Sequence, residues 1–164
     1  MKKFLLFMMM LFSVTVFAGT VNAKVTNKIN FGISPKELKN IIKSEPLSNS
    51  HDNGNYAVYY FTNVEDPLGV KRELNSFAFS DNQLFSAVFD SATTDEEHAK
   101  IIEDYKKNAS KVLKEKLNVK ERKGALLLYN SKKLIEIYRM LDHTFITSSL
   151  YDSEKLDEIL SDYE

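Results

Sequence analysis

Phe77-Ala78-Phe79-Ser80-Asp81-Asn82-Gln83-Leu84-Phe85-Ser86 decides how this chain is read. Large apolar residues alternate with small or polar ones on both sides of Asp81-Asn82, a pair that tolerates the left-handed backbone of a tight turn. A turn that short joins antiparallel neighbours, so Glu73–Ser80 and Leu84–Phe89 are read as the arms of a hairpin. Upstream, Tyr56-Ala57-Val58-Tyr59-Tyr60-Phe61 is a further strand by its aromatic and β-branched content, linked through the turn Glu65-Asp66-Pro67-Leu68-Gly69. Ser48 to Asn55 reads as a polar loop turning at Asp52-Asn53-Gly54.

Two helices flank this block. Ser34 is an N-cap with Pro35 at the first helical position and Glu37 closing a capping box; Pro46 stops the helix near Ser44. Thr94 and Glu97 form a second capping box, followed by an apolar stripe through Ile101, Ile102, Tyr105, Ala109, Val112, Leu113 and Leu117. The strand pattern then returns at Ala125–Tyr129, Leu134–Met140 and Phe145–Tyr151. A short closing helix after Asp152 or Ser153 carries Leu156, Ile159 and Leu160 on one face. The order predicts an α+β two-layer sandwich of tandem α-β-β-β units, with an antiparallel sheet and all helices on one face. The halves, about 31–91 and 92–164, are each too small to hold a sufficient core alone, so 24–164 is expected to be a single domain.

Because strand side chains alternate between faces, the pattern also sorts the sheet. Tyr59, Phe61, Phe77, Phe79, Phe85, Ala87 and Phe89, with Leu126, Leu128, Ile135, Ile137, Ile146 and Leu150, form the set expected beneath the helices. The opposite set is rich in tyrosine and hydroxyls. From it come the candidate partner-binding residues Tyr56, Tyr60, Ser76, Ser86, Tyr129, Tyr138, Thr147 and Tyr151. Tyrosine brings broad amphipathic contact at low entropy cost and serine adaptable hydrogen bonding, the mix that binding surfaces use. Tyrosine and threonine also favour half-exposed strands for purely structural reasons.

Residues 1–23 read as an export signal: Lys2-Lys3, an unbroken apolar run from Phe4 to Phe12, and small or aliphatic residues at Val21 and Ala23 before a cut after Ala23. A cut after Ala18, preceded by Val16-Phe17, is the alternative. The apolar run is too short to read as a spanning helix. The mature chain is therefore expected in the periplasm or outside the cell, without stable membrane insertion. Loss of Lys2 and Lys3 takes the formal charge from −1 to −3, which argues against a nucleic-acid partner. With no cysteine in 164 residues, there is no disulfide framework, no thiolate chemistry and no lipid attachment point after the signal.

No catalytic, metal or cofactor constellation emerges. His51, His98 and His143 lack paired ligand spacing, and His98, in an acidic first helical turn, reads as a solvated helix residue. No nucleophile elbow accompanies the serines, and the five glycines build no phosphate-binding loop. The basic run Lys106, Lys107, Lys111, Lys114, Lys116, Lys120, Arg122 and Lys123 reads as a solvated face supported by Glu103–Lys107 at i,i+4.

Phe31-Gly32-Ile33-Ser34-Pro35-Lys36-Glu37-Leu38-Lys39-Asn40-Ile41-Ile42 resembles the opening motif of SmpA/OmlA-type envelope proteins. Phe77 to Ser86 is similar to their hairpin, and the doubled arrangement is similar to the beta-lactamase inhibitor protein architecture. The resemblance implies an exported, non-enzymatic module that meets a protein partner in the cell envelope through an aromatic-rich sheet face. A structural envelope-assembly factor is the alternative, and a small hydrolase a third reading.

Overall fold

Among the described residues, eight strands hydrogen-bond into one continuous antiparallel sheet in the order β1-β2-β3-β4-β8-β7-β6-β5. The computed structural model describes residues 23–51, 55–122 and 124–161. In chain order these give α1 (Pro35–Ile42), β1 (Ser48–His51), β2 (Tyr56–Glu65), β3 (Lys71–Ser80), β4 (Gln83–Ala92), α2 (Asp95–Leu113), β5 (Asn118–Arg122), β6 (Ala125–Tyr129), β7 (Lys133–Met140), β8 (His143–Leu150) and α3 (Ser153–Ser161). Residues 1–22 of the expected export signal 1–23, and the expected turn Asp52-Asn53-Gly54, lie outside the described residues.

Both long-range helices start where their caps place them. Ser34 and Thr94 sit in extended backbone and accept from the N–H groups of Glu37 and Glu97, whose carboxylates reach back to the cap nitrogens. Each helix ends on a left-handed lysine, Lys43 or Lys114, whose N–H closes onto the preceding turn.

The two-layer sandwich does not survive. The chain is sheet-dominated, and its described helices, of 8, 19 and 9 residues, patch the sheet instead of forming a second layer. Three local causes are visible. Each half contributes four strands, because Ser48–His51 and Asn118–Arg122 are strands rather than loop or helix end. These are the two edge strands, and their pairing with β2 and β6 makes them strands although neither carries an apolar alternation. The helices are also not all on one face: Leu38 of α1 and Tyr105, Ala109 and Leu113 of α2 join the main core, whereas Leu156 and Ile159 of α3 pack with Leu127 and Leu134 in a separate cluster. Leu127 and Leu134 alternate with the main-core residues Leu126, Leu128 and Ile135, so α3 lies against the opposite side of the sheet.

The third cause is a bulge. The β3–β4 register changes between Ala78 and Phe79, where Ala78 faces Ser86 but Phe79 faces Leu84. The extra residue swaps two side chains. Leu84, 1% exposed, enters the main core in the place expected for Phe85, and the Phe85 ring lies 6.0 Å from that of Tyr56 on the other face. The main core of the first half then runs through the edge-to-face pairs Phe61–Phe77 and Phe77–Phe89, at 5.8 and 5.9 Å.

Candidate functional site

The face that α1 and α2 leave uncovered can be written as rows across the strands. One row is Ser48, Tyr60, Ser76, Val88, Thr147, Glu136 and Leu127, each the register partner of the next. A second is Thr62, Leu74, Asp90, Phe145, Tyr138 and Ala125. A third carries Ala78, Ser86, Ser149, Leu134 and Tyr129.

The eight candidate residues all fall on this face, but in different surroundings. Tyr56, Tyr60, Ser76 and Tyr138 are half-buried. Tyr138 stacks on Phe145 at 5.4 Å and 16° between ring planes, a pair directly opposed on β7 and β8. Thr147 is buried and donates to the Glu136 carbonyl oxygen at 3.4 Å. Ser86 is buried too, and its hydroxyl lies 2.7 Å from that of Ser149 across the junction between the halves. Tyr129 and Tyr151 pack against the α3 cluster instead. Burial raises the Tyr151 hydroxyl pKa, and the Glu136 carboxylate adds to that. The surface thus narrows to a strip from β1 to β7 centred on Tyr60, Ser76 and the Tyr138–Phe145 pair.

The strip has a charged end that the sequence reading did not pick out. His143 Nδ1 lies 2.9 Å from Asp90 Oδ1, and the His143 ring is 6.2 Å from Phe145. The hydrogen bond to Asp90, followed by its charge, raises the His143 pKa; Asp142 and Glu73 act in the same direction. Asp90 and His143 are 53 residues apart, so only the β4–β8 register brings them together.

His98 corrects the sequence reading. It is 8% exposed, not solvated, and its Nδ1 lies 2.9 Å from Thr144 Oγ1, which in turn lies 2.7 Å from Thr93 Oγ1. Burial lowers its pKa against an opposing contribution from the Gly124 backbone. The basic run is engaged along part of its length: Lys106 bridges Glu103 and Glu121, and Lys107 reaches Glu103 at 3.8 Å.

Among the described residues no group of three or more His, Asp or Glu is placed to hold a metal ion. No helix among them is long and apolar enough to cross a membrane. Comparison with protein-family models, with curated proteins and with solved structures finds no match.

Proposed function

We propose that this chain is an exported module that binds a protein partner of the cell envelope through the strip centred on Tyr60, Ser76 and the stacked Tyr138–Phe145 pair. The observation that carries the reading is the composition and placement of that strip. Half-buried phenols and hydroxyls lie in register across strands of both halves, on the face opposite the main core. Aromatic rings already ordered by their neighbours contribute contact area with little further loss of freedom. The resemblance to SmpA/OmlA-type and beta-lactamase inhibitor protein-like modules supports the same use of such a face. The signal-like N-terminus supports the location, periplasmic or secreted.

The test is capture of envelope protein on the purified, exported chain. Tyr60→Ala and Tyr138→Ala should each reduce stoichiometric capture at least tenfold, about 1.4 kcal/mol, as expected for central aromatic anchors. Val119→Ser, at the exposed β5 edge, should leave capture unchanged. Melting temperatures of the tyrosine variants should fall by no more than about 4 °C. If they instead collapse, the tyrosines are structural and the proposal fails.

A further inference from the structure

The backbone of Lys24 is gripped at both ends by one buried ion pair. Its N–H donates to Glu115 Oε1 at 2.9 Å, and its carbonyl oxygen accepts from Lys133 Nζ at 2.8 Å. Lys133 Nζ also lies 2.6 Å from Glu115 Oε2, and the Lys133 side chain has no exposed surface. Asn130 Nδ2 completes the set at 3.4 Å from the same carboxylate oxygen. A carboxylate from the end of α2 thus spans 91 residues to meet a backbone nitrogen. That nitrogen is the one a cut after Ala23 would free.

Two independent observations therefore meet at one atom. The Val21/Ala23 pattern marks the Ala23–Lys24 bond for cleavage, and the fold aims a carboxylate at the Lys24 nitrogen. We propose that Glu115 is the receptor for the mature α-amino terminus, so that removal of the signal completes a charge cluster of the Lys24 ammonium, Glu115 and Lys133. The inference rests on the export reading. The chemistry is hydrolysis by the exporting cell's signal peptidase. Water adds across the Ala23–Lys24 amide, Ala23 leaves as the carboxylate end of the signal, and the Lys24 nitrogen takes up protons to become an ammonium.

The exchange of bonds is specific. The intact chain holds Ala23 in the main core at 7% exposure, with its carbonyl oxygen accepting from the Phe31 N–H at 3.0 Å. Cleavage removes that neutral bond. In its place the bond to Glu115 Oε1, charge-assisted so far on the carboxylate side alone, becomes one in which donor and acceptor are both ionised. Each carboxylate oxygen then holds one cation, Oε1 the terminus and Oε2 the Lys133 side chain. Beyond Lys24 the segment is already anchored: Val25 and Thr26 donate to the Ile29 carbonyl oxygen, and Val25, Ile29 and Phe31 are buried in the main core.

The experiment begins with the full chain expressed in an exporting bacterial host and the intact mass of the exported product. The expected mass is that of Lys24–Glu164. A product beginning at Gly19 overturns the proposal, whereas an unprocessed product beginning at Met1 overturns the export reading on which it rests. Val21→Glu places a charge three residues before the Ala23 bond, which diverts cleavage to Ala18 and yields a longer exported chain that retains Ala23. Glu115→Gln should lower the melting temperature of the Lys24-initiated product by about 3 °C more than that of the Gly19-initiated one. Equal shifts overturn the receptor role. Should Glu115→Gln prevent recovery of protein, the wild-type product decides alone. Its α-amine should react with an acylating reagent near pH 7 about tenfold more slowly when folded than when unfolded, because an ammonium held on a carboxylate is not a nucleophile. Equal rates overturn the proposal.

Discussion

The two halves of the sheet solve the same geometry with different chemistry. Each is a helix followed by four antiparallel strands, and β4 of one pairs with β8 of the other to close the sheet. Both central hairpins turn through two residues, Asp81-Asn82 and Leu141-Asp142. Beneath the helices the first half stacks phenylalanines, the second leucines and isoleucines. On the other face the difference is sharper. Leu74 and Leu134 each stand six residues before the end of the hairpin's first arm, yet Leu74 is 43% exposed and Leu134 3%. The second leucine lies under α3, and among the described residues no helix does the same for the first. Identical residues at matching places thus meet different fates, because one half carries an appended helix. The half without it is where the Tyr60–Ser76 strip begins.

The largest test of this comparison lies in the loops joining the second and third strands of each half. In the first half Asp66, fully buried, accepts from the N–H groups of Leu68 and Val70 at 2.9 and 3.0 Å and pairs with Arg72, which is 8% exposed, at 2.7 Å. The Tyr105 hydroxyl is buried in the same region; burial first, and then the Asp66 charge, push its pKa well up. In the second half the corresponding staple is neutral: Asn130 Oδ1 accepts from the Lys132 and Lys133 N–H groups, both at 3.0 Å. Asp66→Ala leaves Arg72 buried without its partner and should cost about 3–5 kcal/mol by denaturant unfolding. Asn130→Ala loses these two ordinary hydrogen bonds and the longer 3.4 Å bond from Asn130 Nδ2 to Glu115 Oε2, and should cost about 1–2 kcal/mol. Equal losses would mean that the two loops are energetically alike and the contrast between the halves is superficial.

A smaller effect is expected from α3. Leu156 is 3% exposed, and Leu156→Ala should cost about 2 kcal/mol, the low end for such a truncation because a nine-residue helix packed through a small separate cluster can open locally. Leu74→Ala should change stability by no more than about 0.5 kcal/mol, as for other exposed positions. Hydrogen exchange should show faster exchange confined to α3 and the β6–β7 hairpin in Leu156→Ala. Loss of protection across β2 and β3 as well would show that the helix supports the whole sheet.

These contrasts were legible in the sequence to unequal depth. The caps at Ser34 and Thr94, the hairpin at Asp81-Asn82 and the sorting of β6, β7 and β8 into faces follow from local chemistry, and short-range pattern suffices for them. The edge strands do not: Ser48-Asn49-Ser50-His51 has no apolar alternation, and its strand state is imposed by pairing with Ala57–Tyr60. Phe85 went to the wrong face because a bulge shifts register without any glycine or proline to mark it. Leu127, and Leu134 two residues before Glu136 on the same alternation, put two large apolar side chains on the tyrosine-rich face, and these are the available signal that something covers it. Asp90–His143 and Asp66–Arg72 illustrate a further limit. The first needed the strand order, and the second the burial of a turn whose sequence, Glu65-Asp66-Pro67-Leu68-Gly69, looks solvated.

The subtlest expected difference is in the sign of two histidine titrations at the start of β8, where His98 reaches Thr144 and His143 reaches Asp90. His98 in α2 has its pKa lowered from 6.5 by burial, so on acidification the unfolded chain takes up the proton first. Its contribution is fully present above pH 6.5 and declines as the pH falls below it toward the lower folded-state value. His143 at the start of β8 has its pKa raised from 6.5, chiefly by the hydrogen bond to Asp90. Its contribution is present below pH 6.5 and is lost as the pH rises from there through the higher folded-state value. Melting temperature followed from about pH 5 to about pH 8 should therefore show His98→Gln flattening the acid limb and His143→Gln flattening the neutral one. The His143 effect should be the smaller and should shrink further with added salt, because the His143 side chain is 40% exposed. If His98→Gln leaves the acid limb unchanged, His98 is solvated in solution; if His143→Gln leaves the neutral limb unchanged, the Asp90 pairing across β4 and β8 does not form. Asp90→Asn checks the second outcome independently, because where the pairing forms it removes the same neutral-limb slope as His143→Gln.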